Sequence, residues 1–431
     1  LRTDEVDVAI FQTSSADSAC EHQPMTAHSI QVSICLLVLS CGLGSVYVAI
    51  AAVAMPFFER SRVSARSDRQ VGGVSVLKPL CGLEPRLYEN LATFCEQTHS
   101  NFQLLFGVSS SSDPAITIVR RLQAAYPLRD IELAIDARVH GSNLKVSNLI
   151  NMAERARHDI IVVADSDIAV RPDYLNTVVA PLTDPTVGVV TCLYMAQSVG
   201  GFWPRVGALF INEWFAPSVR VAHAGGSRRF GFGATLAIRR ETLEKIGGFE
   251  ALKNCLADDY WLAEHARALG LRTVLSPVMV ATDVIEPTFA TLWQRETRWL
   301  RTIRSVNPWG FASLFITFPT PWLLFSTGIA VLFDSANGAC SHHLAAAILA
   351  ANTVFGLAAR IILHGRSARH TRTFWRDLPL VPLRDLLLTL QWLAATFGSY
   401  VVWRGARMPV TQAIESVRTS NTTAMKASDG R

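Results

Sequence analysis

The chain has 431 residues, half of them apolar and only 17% charged, with a mean hydropathy of +0.26. A soluble domain usually carries about 25% charged residues, so the deficit points to membrane segments and excludes a wholly soluble globular protein. The net charge of +5 sits mainly in arginines beside apolar runs, which suits anionic lipid headgroups and no nucleic acid; the eight cysteines show no CxxC or Cys/His spacing, so neither a zinc site nor a disulfide framework is expected.

Residues 1–29 read as a polar tail, of which 1–24 either belong to that tail or lie upstream of a start at Met25. Residues 30–58 carry no charge. A bilayer core needs roughly 20 apolar residues in a helix, and a signal-peptide core is shorter, so this run predicts a retained transmembrane anchor. Arg60, Arg62, Arg66 and Arg69 follow it. Residues 59–310 then read as one catalytic-sized domain with interfacial helices.

Within that domain strand-like and helix-like runs alternate. Strands are expected at 75–79, 102–108, 131–135, 160–164 and 187–193, and helices at 87–96, 115–125, 145–156 and 174–180. This order predicts an α/β fold with a mostly parallel sheet, covered on both faces. The strand DIIVVADSDIAV ends in Asp165 and Asp167. Ligands of open α/β sheets bind beyond the carboxyl ends of strands, and residues two apart face the same way. The pair therefore either shares a hard divalent cation that also holds a diphosphate, or forms an ordinary Asp-Ser-Asp turn.

Residues 202–221 are apolar and aromatic but too irregular to span; they read either as an interfacial, cleft-lining segment or as a buried helix. Asp258 and Asp259 open the helical run DDYWLAEHARALG. One of them caps the helix, and the other faces the cation site, where a carboxylate can act as general base toward a hydroxyl. In FATLWQRETRWLRTIRS, Arg295, Arg298, Arg301 and Arg304 recur every three residues. The segment reads as an interfacial amphipathic helix with arginines at the headgroups, and Arg298 also offers a fork of donors to a diphosphate.

Residues 311–403 read as a C-terminal membrane region of two to three spans, at 311–333, 344–363 and 378–403; the last carries Arg384 and Asp385 and is the weakest. Residues 404–431 form a polar tail. Arginines at 366, 369, 372 and 376, against none in 334–343, place the middle domain and the 364–376 loop in the cytoplasm, as in a multi-pass protein of a cell inner membrane if the source is bacterial. Trp309, Trp322, Trp375 and Trp403 fall near span ends, as an aromatic belt would.

The ordered set VSVLKPLCG, LKVSNL, DSD, ADDYWLAEHARALG and RETRW, with this membrane layout, resembles the ceramide glucosyltransferase family, which includes bacterial hopanoid glycosyltransferases. The resemblance covers about residues 70–410. It implies a glycosyltransferase-A domain, a UDP-sugar donor, a divalent cation (Mg²⁺ or Mn²⁺), a membrane-lipid acceptor and inversion at the anomeric carbon. By position, Asp165 and Asp167 match its metal and diphosphate motif, Asp259 its base with Asp258 beside it, and Arg295, Arg298 and Trp299 its diphosphate- and acceptor-positioning motif. Lys78 and Lys145 match basic positions near the nucleotide. Two departures stand out. Ser110 and Ser112 replace acidic residues of the family, leaving Asp113 alone, and Ala216-Pro217 stands where animal members have His-Pro. The rival readings are a processive polysaccharide synthase, a polyprenyl-phosphate glycosyltransferase of the same fold, and a non-catalytic membrane scaffold.

Overall fold

The protein is described by a computed structural model over residues 36, 38–53, 72–335, 340–369, 372–403 and 406–409. The expected polar tails, and the arginines that follow the anchor, lie outside these residues.

The apolar runs form the strands they predict. β1 (Val74–Pro79), β2 (Phe102–Val108), β3 (Asp130–Ile135) and β4 (Ile160–Val163) are joined by α2 (Leu87–Cys95), α3 (Ala115–Ala125) and α4 (Leu144–Ala153). A short β5 (Ile168–Ala169) and α5 (Tyr174–Val179) precede β6 (Val187–Ser198), which runs further than its apolar signal. β7 (Leu236–Arg239), α8 (Arg240–Lys245), α9 (Asp258–Ala268) and β8 (Arg272–Val284) complete an eight-stranded sheet of order β3-β2-β1-β4-β7-β6-β8-β5. Alternation divides the core between two faces: Val76, Leu104 and Val162 pack on α2, α3 and α5, whereas Leu77, Leu105 and Val163 pack on α4 and α9.

The expectation of a mostly parallel sheet holds: β3-β2-β1-β4 and the pair β6-β8 are parallel, and only β7 and β5 run against them. β7 pairs antiparallel with β4 and β6, and β5 with β8. The cause is the path of the chain. After β6 it stays at the carboxyl rim through α6 (Phe202–Phe210), a π-helical turn (Ile211–Phe215) and α7 (Ala216–Ala224). β7 therefore starts at that rim, with Leu236 beside Val163, the last residue of β4, and can only run backwards.

α10 (Phe289–Val306) is fixed at its start by a reciprocal capping box between Thr288 and Thr291. The first expected C-terminal span is broken: α11 (Pro308–Ser313) and α12 (Pro319–Ser335) belong to segments bent by 52°. Pro319 lacks the N–H that would continue the ladder and holds Phe318 extended (φ −97°, ψ 92°). α13 (Cys340–Ala368) contains, at His343–Ala368, the one unbroken helix among the described residues that is long and apolar enough to cross a membrane. The expected anchor appears as the shorter apolar helix α1 (Val38–Val53). α1, α12 and α13 meet through small residues: a Cβ at Gly44 would sit 2.9 Å from Trp322, and one at Gly356 2.5 Å from Ser45 Oγ. After α14 (Phe374–Asp377), the third expected span is corrected. α15 (Leu380–Thr396) stops at Thr396, and 400–403 forms a strand, β9 (Tyr400–Trp403), paired with β10 (Ala406–Pro409). Arg384 and Asp385 are buried in protein contacts.

Two arginines of the α10 row turn to protein carbonyls. Arg301 donates to the Tyr400 carbonyl at 2.8 Å, and Arg304 donates to the carbonyls of Ala395, Thr396 and Gly398. Arg304 closes the carboxyl end of α15, where helical carbonyls lack partners, and Arg301 is tied to the start of β9. Trp309 and Trp375 do stand out from the surface, 86% and 82% exposed.

Candidate functional site

A cavity of about 480 Å³ opens at the carboxyl rim of the sheet. Four of the stretches that line it carry the residues singled out in the sequence. The turn between β4 and β5 brings Asp165 and Asp167, just past the last paired residue of β4. The first turn of α9 brings Asp258 and Asp259, α4 brings Lys145, and α10 brings Arg295, Arg298 and Trp299. The start of α4 is locked to the α9 approach: Asn143 accepts from Val146 N–H, donates to the Cys255 carbonyl at 2.8 Å and reaches Asp258 at 3.3 Å.

Lys145 Nζ lies 2.7 Å from Asp165 Oδ1 and 3.6 Å from Asp258 Oδ2. Asp259 accepts from the backbone N–H of Gly233 and of Tyr260, each at 2.8 Å, so its carboxylate is aimed. Gly233, just before β7, marks the point of convergence. A Cβ there would lie 3.0 Å from Asp165 Oδ2, 3.2 Å from Lys145 Nζ and 3.5 Å from Asp259 Oδ2. Glycine leaves open a space that three functional groups face.

The charges of this cavity do not cancel. Seven carboxylates line it (Glu84, Asp165, Asp167, Asp258, Asp259, Asp283 and Glu286) against Lys145, Arg295 and Arg298. Burial, then the charges of Asp165 and Glu84, push the Asp167 carboxyl up to about 7. Burial and neighbouring Asp258 push Asp259 up to about 6, against the pull of Lys145 and the two backbone N–H donors. Burial, and then Arg295, lower Arg298 to about 10, so it stays charged at neutral pH. Burial also works against the charge of Arg295, but its ion pair with Glu286 outweighs that.

An anionic diphosphate would not enter so acidic a space without a cation. The residues fit one: Asp165 and Asp167 offer hard oxygen donors, and Thr282 Oγ1 orients Asp167 by donating to Oδ2 at 2.7 Å. Among the described residues no three His, Cys, Asp or Glu side chains are grouped as a metal site. With Asp165 and Asp167 as its carboxylate ligands, a Mg²⁺- or Mn²⁺-type ion would keep positions for phosphate oxygens and water.

The structure thus brings Lys145, Asp165, Asp167, Asp258, Asp259, Arg295, Arg298 and Trp299 to one cavity. It keeps Lys78 and Asp113 out of the lining. Lys78 is fully buried behind the wall, donates to the Asp165 carbonyl at 2.8 Å and lies 3.6 Å from the Phe94 ring centre; burial lowers it to about 7 against the pull of Asp167, Asp165 and Glu84. Asp113 accepts from Gly82 and Ala115 N–H, fastening the start of α3 to the loop after β1. Ser110 and Ser112 bond each other at 2.8 Å, and it is Ser109 that reaches the cavity. Residues 202–221 do not line it; Val206, Phe210, Ile211 and Trp214 are buried, whereas Phe202 is exposed.

Sequence reasoning missed the end of β8. Thr282 orients Asp167, Asp283 accepts from Arg86 at 3.1 Å and Asn90 at 2.9 Å, and Glu286 holds Arg295. The signal was present: ATDVIEP ends an apolar strand in acidic residues, as DSD does. Tyr194 of β6 also lines the cavity, stacked on Phe215 at 5.0 Å between ring centres.

The family model of glycosyl transferase family 21 matches residues 37–414. The chain belongs to this family. "Ceramide glucosyltransferase 1" of Caenorhabditis elegans is 27% identical over 242 residues, 56% of this chain and 52% of that protein. "Ceramide glucosyltransferase" of Candida albicans is 31% identical over 122 residues, 26% of this chain and 22% of that protein. The chain spans about half the length, or less, of these curated relatives. Among solved structures, the mannosyltransferase PcManGT from Pyrobaculum calidifontis, in complex with GDP-Man and Mn²⁺, aligns with a TM-score of 0.42 at 17% identity, over 82% of this chain and 99% of that one.

Proposed function

We propose that this family 21 protein transfers one sugar from a UDP-sugar to a hydroxyl of a membrane lipid, with inversion at the anomeric carbon. The observation that carries the reading is the convergence of Asp165, Lys145 and Asp259 on Gly233, in a cavity shared with Arg295 and Arg298. The curated relatives named ceramide glucosyltransferase support a sphingolipid-like acceptor; diacylglycerol and hopanoid polyols carry the same reacting group.

Each residue then has a task. Asp165 and Asp167 would hold Mg²⁺ or Mn²⁺, which when bound neutralises charge on the leaving diphosphate. Arg298 presents a planar set of donors to the same diphosphate, and Glu286 fixes Arg295 beside it. Lys145 ties Asp165 to Asp258 and so sets the distance between the donor side and the base side. Asp259, aimed by two N–H groups and shifted toward neutral pH, takes the proton as the acceptor oxygen attacks. Trp299, 6.4 Å from Tyr194 between ring centres, forms an apolar wall on the acceptor side. The catalytic domain faces the cytoplasm, held by α13 and by the apolar helices packed on it.

The test is a transfer assay on purified protein in detergent, with a panel of UDP-sugars and lipids, read by mass spectrometry and by the anomeric signal in NMR. One sugar per acceptor with an inverted anomer, lost in chelator and regained with Mn²⁺, is the expected result. Polymeric product would favour a processive synthase, a phosphate-linked product a polyprenyl-phosphate enzyme, and absence of cation-dependent nucleotide binding a scaffold.

A further inference from the structure

Glu296 lies inside the RETRW segment and has no place in the chemistry above. Arg295 and Arg298 line the cavity; Glu296 points elsewhere and is fully buried. Its Oε2 accepts from Arg384 Nη1 at 2.6 Å and from Gln391 Nε2 at 2.8 Å, and Arg384 Nη2 donates to Gln391 Oε1 at 2.5 Å. Arg384 and Gln391 sit on α15, one face apart by seven residues, and both are buried. The Arg384 guanidinium also lies 5.3 Å from the Phe210 ring centre, and Phe210 lies 5.7 Å from that of Trp299. Further along, Arg304 of α10 binds the carbonyl end of α15. α10 is therefore clamped to α15 at two levels, and the cavity-side residues Arg298 and Trp299 lie between them.

A buried ion pair of this kind adds little stability over a well-packed apolar pair, but its directional bonds fix register and rotation. A slide of α10 along α15, or a turn about its axis, would move the Arg298 guanidinium relative to the Asp165 turn. We propose that Glu296, Arg384 and Gln391 are positioning residues: α15, in the helical region, sets the placement of Arg298 and Trp299 in the cavity. This deepens the glycosyltransferase reading and rests on it for the consequence on turnover, though not for the coupling itself.

Three proteins test it: wild type, Arg384→Met, and the double variant Glu296→Leu/Arg384→Met, which removes both charges together. Hydrogen exchange over 294–302, measured without substrate, reads the coupling. Exchange should rise there in both variants, while the sheet strands stay protected. The single variant should also melt earlier, because it strands a buried carboxylate, whereas the double variant should regain much of that loss, short of the wild-type transition because the buried Gln391 amide loses both partners. Its turnover should nevertheless stay low: a displacement of about 1 Å at a reacting group costs on the order of 100-fold. The loss should fall in kcat, with the KM for donor changed much less. Unchanged exchange over 294–302, or turnover that recovers with the melting transition in the double variant, overturns the proposal. Wild-type protein that transfers no sugar overturns the reading of the cavity instead, and the exchange pattern still decides the coupling.

Discussion

Two regions of this protein bury ionisable groups, and they treat them in opposite ways. In the helical region, Arg360 bridges Glu213 at 2.6 Å and Asp385 at 3.1 Å, while His364 reaches Glu213 at 2.5 Å and the Phe374 carbonyl at 2.9 Å. The two ring nitrogens of His364 face a carboxylate and a carbonyl, and two basic side chains meet two carboxylates. In the cavity, seven carboxylates face three cationic side chains, and Asp167 and Asp259 are driven toward their neutral forms. Balanced charge holds helices together; unbalanced charge leaves a space that an ion and a substrate can complete. The two regions should therefore fail differently when a charge is removed, one in turnover and the other in stability.

Asp259→Asn should show the largest effect. It keeps size and retains an oxygen for one of the two N–H donors, Gly233 or Tyr260, which Asp259 meets with separate carboxylate oxygens, but it cannot take a proton. General-base loss costs about 10²–10⁴-fold, so transfer should fall by that much while the melting transition and cation-dependent UDP affinity stay near wild type. A matching loss of UDP affinity would move Asp259 from the reaction to donor binding. In the other region Arg360→Met should act the opposite way. It leaves Glu213 and Asp385 without their shared cation, and breaking a buried pair costs about 3–5 kcal/mol, so the thermal transition should drop while UDP affinity of the folded fraction holds. A transition unchanged from wild type would break the contrast between the regions.

Much of this contrast could be read before the structure was known, but unevenly. IIVVA followed by DSD announced both a buried strand and its active end, because parallel strands are uniformly apolar and charges appear only where they stop. The α9 carboxylates were legible for the same reason, as an acidic first turn. The partners were not. Lys78 matched a basic position near the nucleotide in the family's pattern, yet the same alternation within β1 that buries Val76 leaves Lys78 behind the Asp165 turn. Arg301 and Arg304 read as headgroup ligands because periodicity gives a helix face but not its neighbours, which here are the start of β9 for Arg301 and the end of α15 for Arg304. Pairings such as Glu296 with Arg384 join residues 88 apart, and no local pattern encodes them. Gly233 carries no signal at all beyond being glycine; its meaning comes from the backward entry of β7 at the rim.

The smallest effect would sharpen the account of the cavity itself. Asp259 must be ionised to accept a proton, so transfer should decline as pH falls through about 6. Burial is the first cause of that raised value and the charge of Asp258 the second. Asp258→Asn removes the second cause and leaves the first. It keeps an oxygen facing Asn143 at the start of α4 but gives up the attraction to Lys145. The acid limb of the kcat profile should therefore move to lower pH without reaching the range of an exposed aspartate, and the variant should lose less of its own rate between about pH 7.5 and 5.5. If the limb stays where it is, Asp259 owes its shift to burial alone and Asp258 serves only to hold Lys145. A limb that moves upward would instead mean that Lys145, released from Asp258, has turned wholly to Asp165, so that the loss of its pull on Asp259 outweighs the repulsion removed.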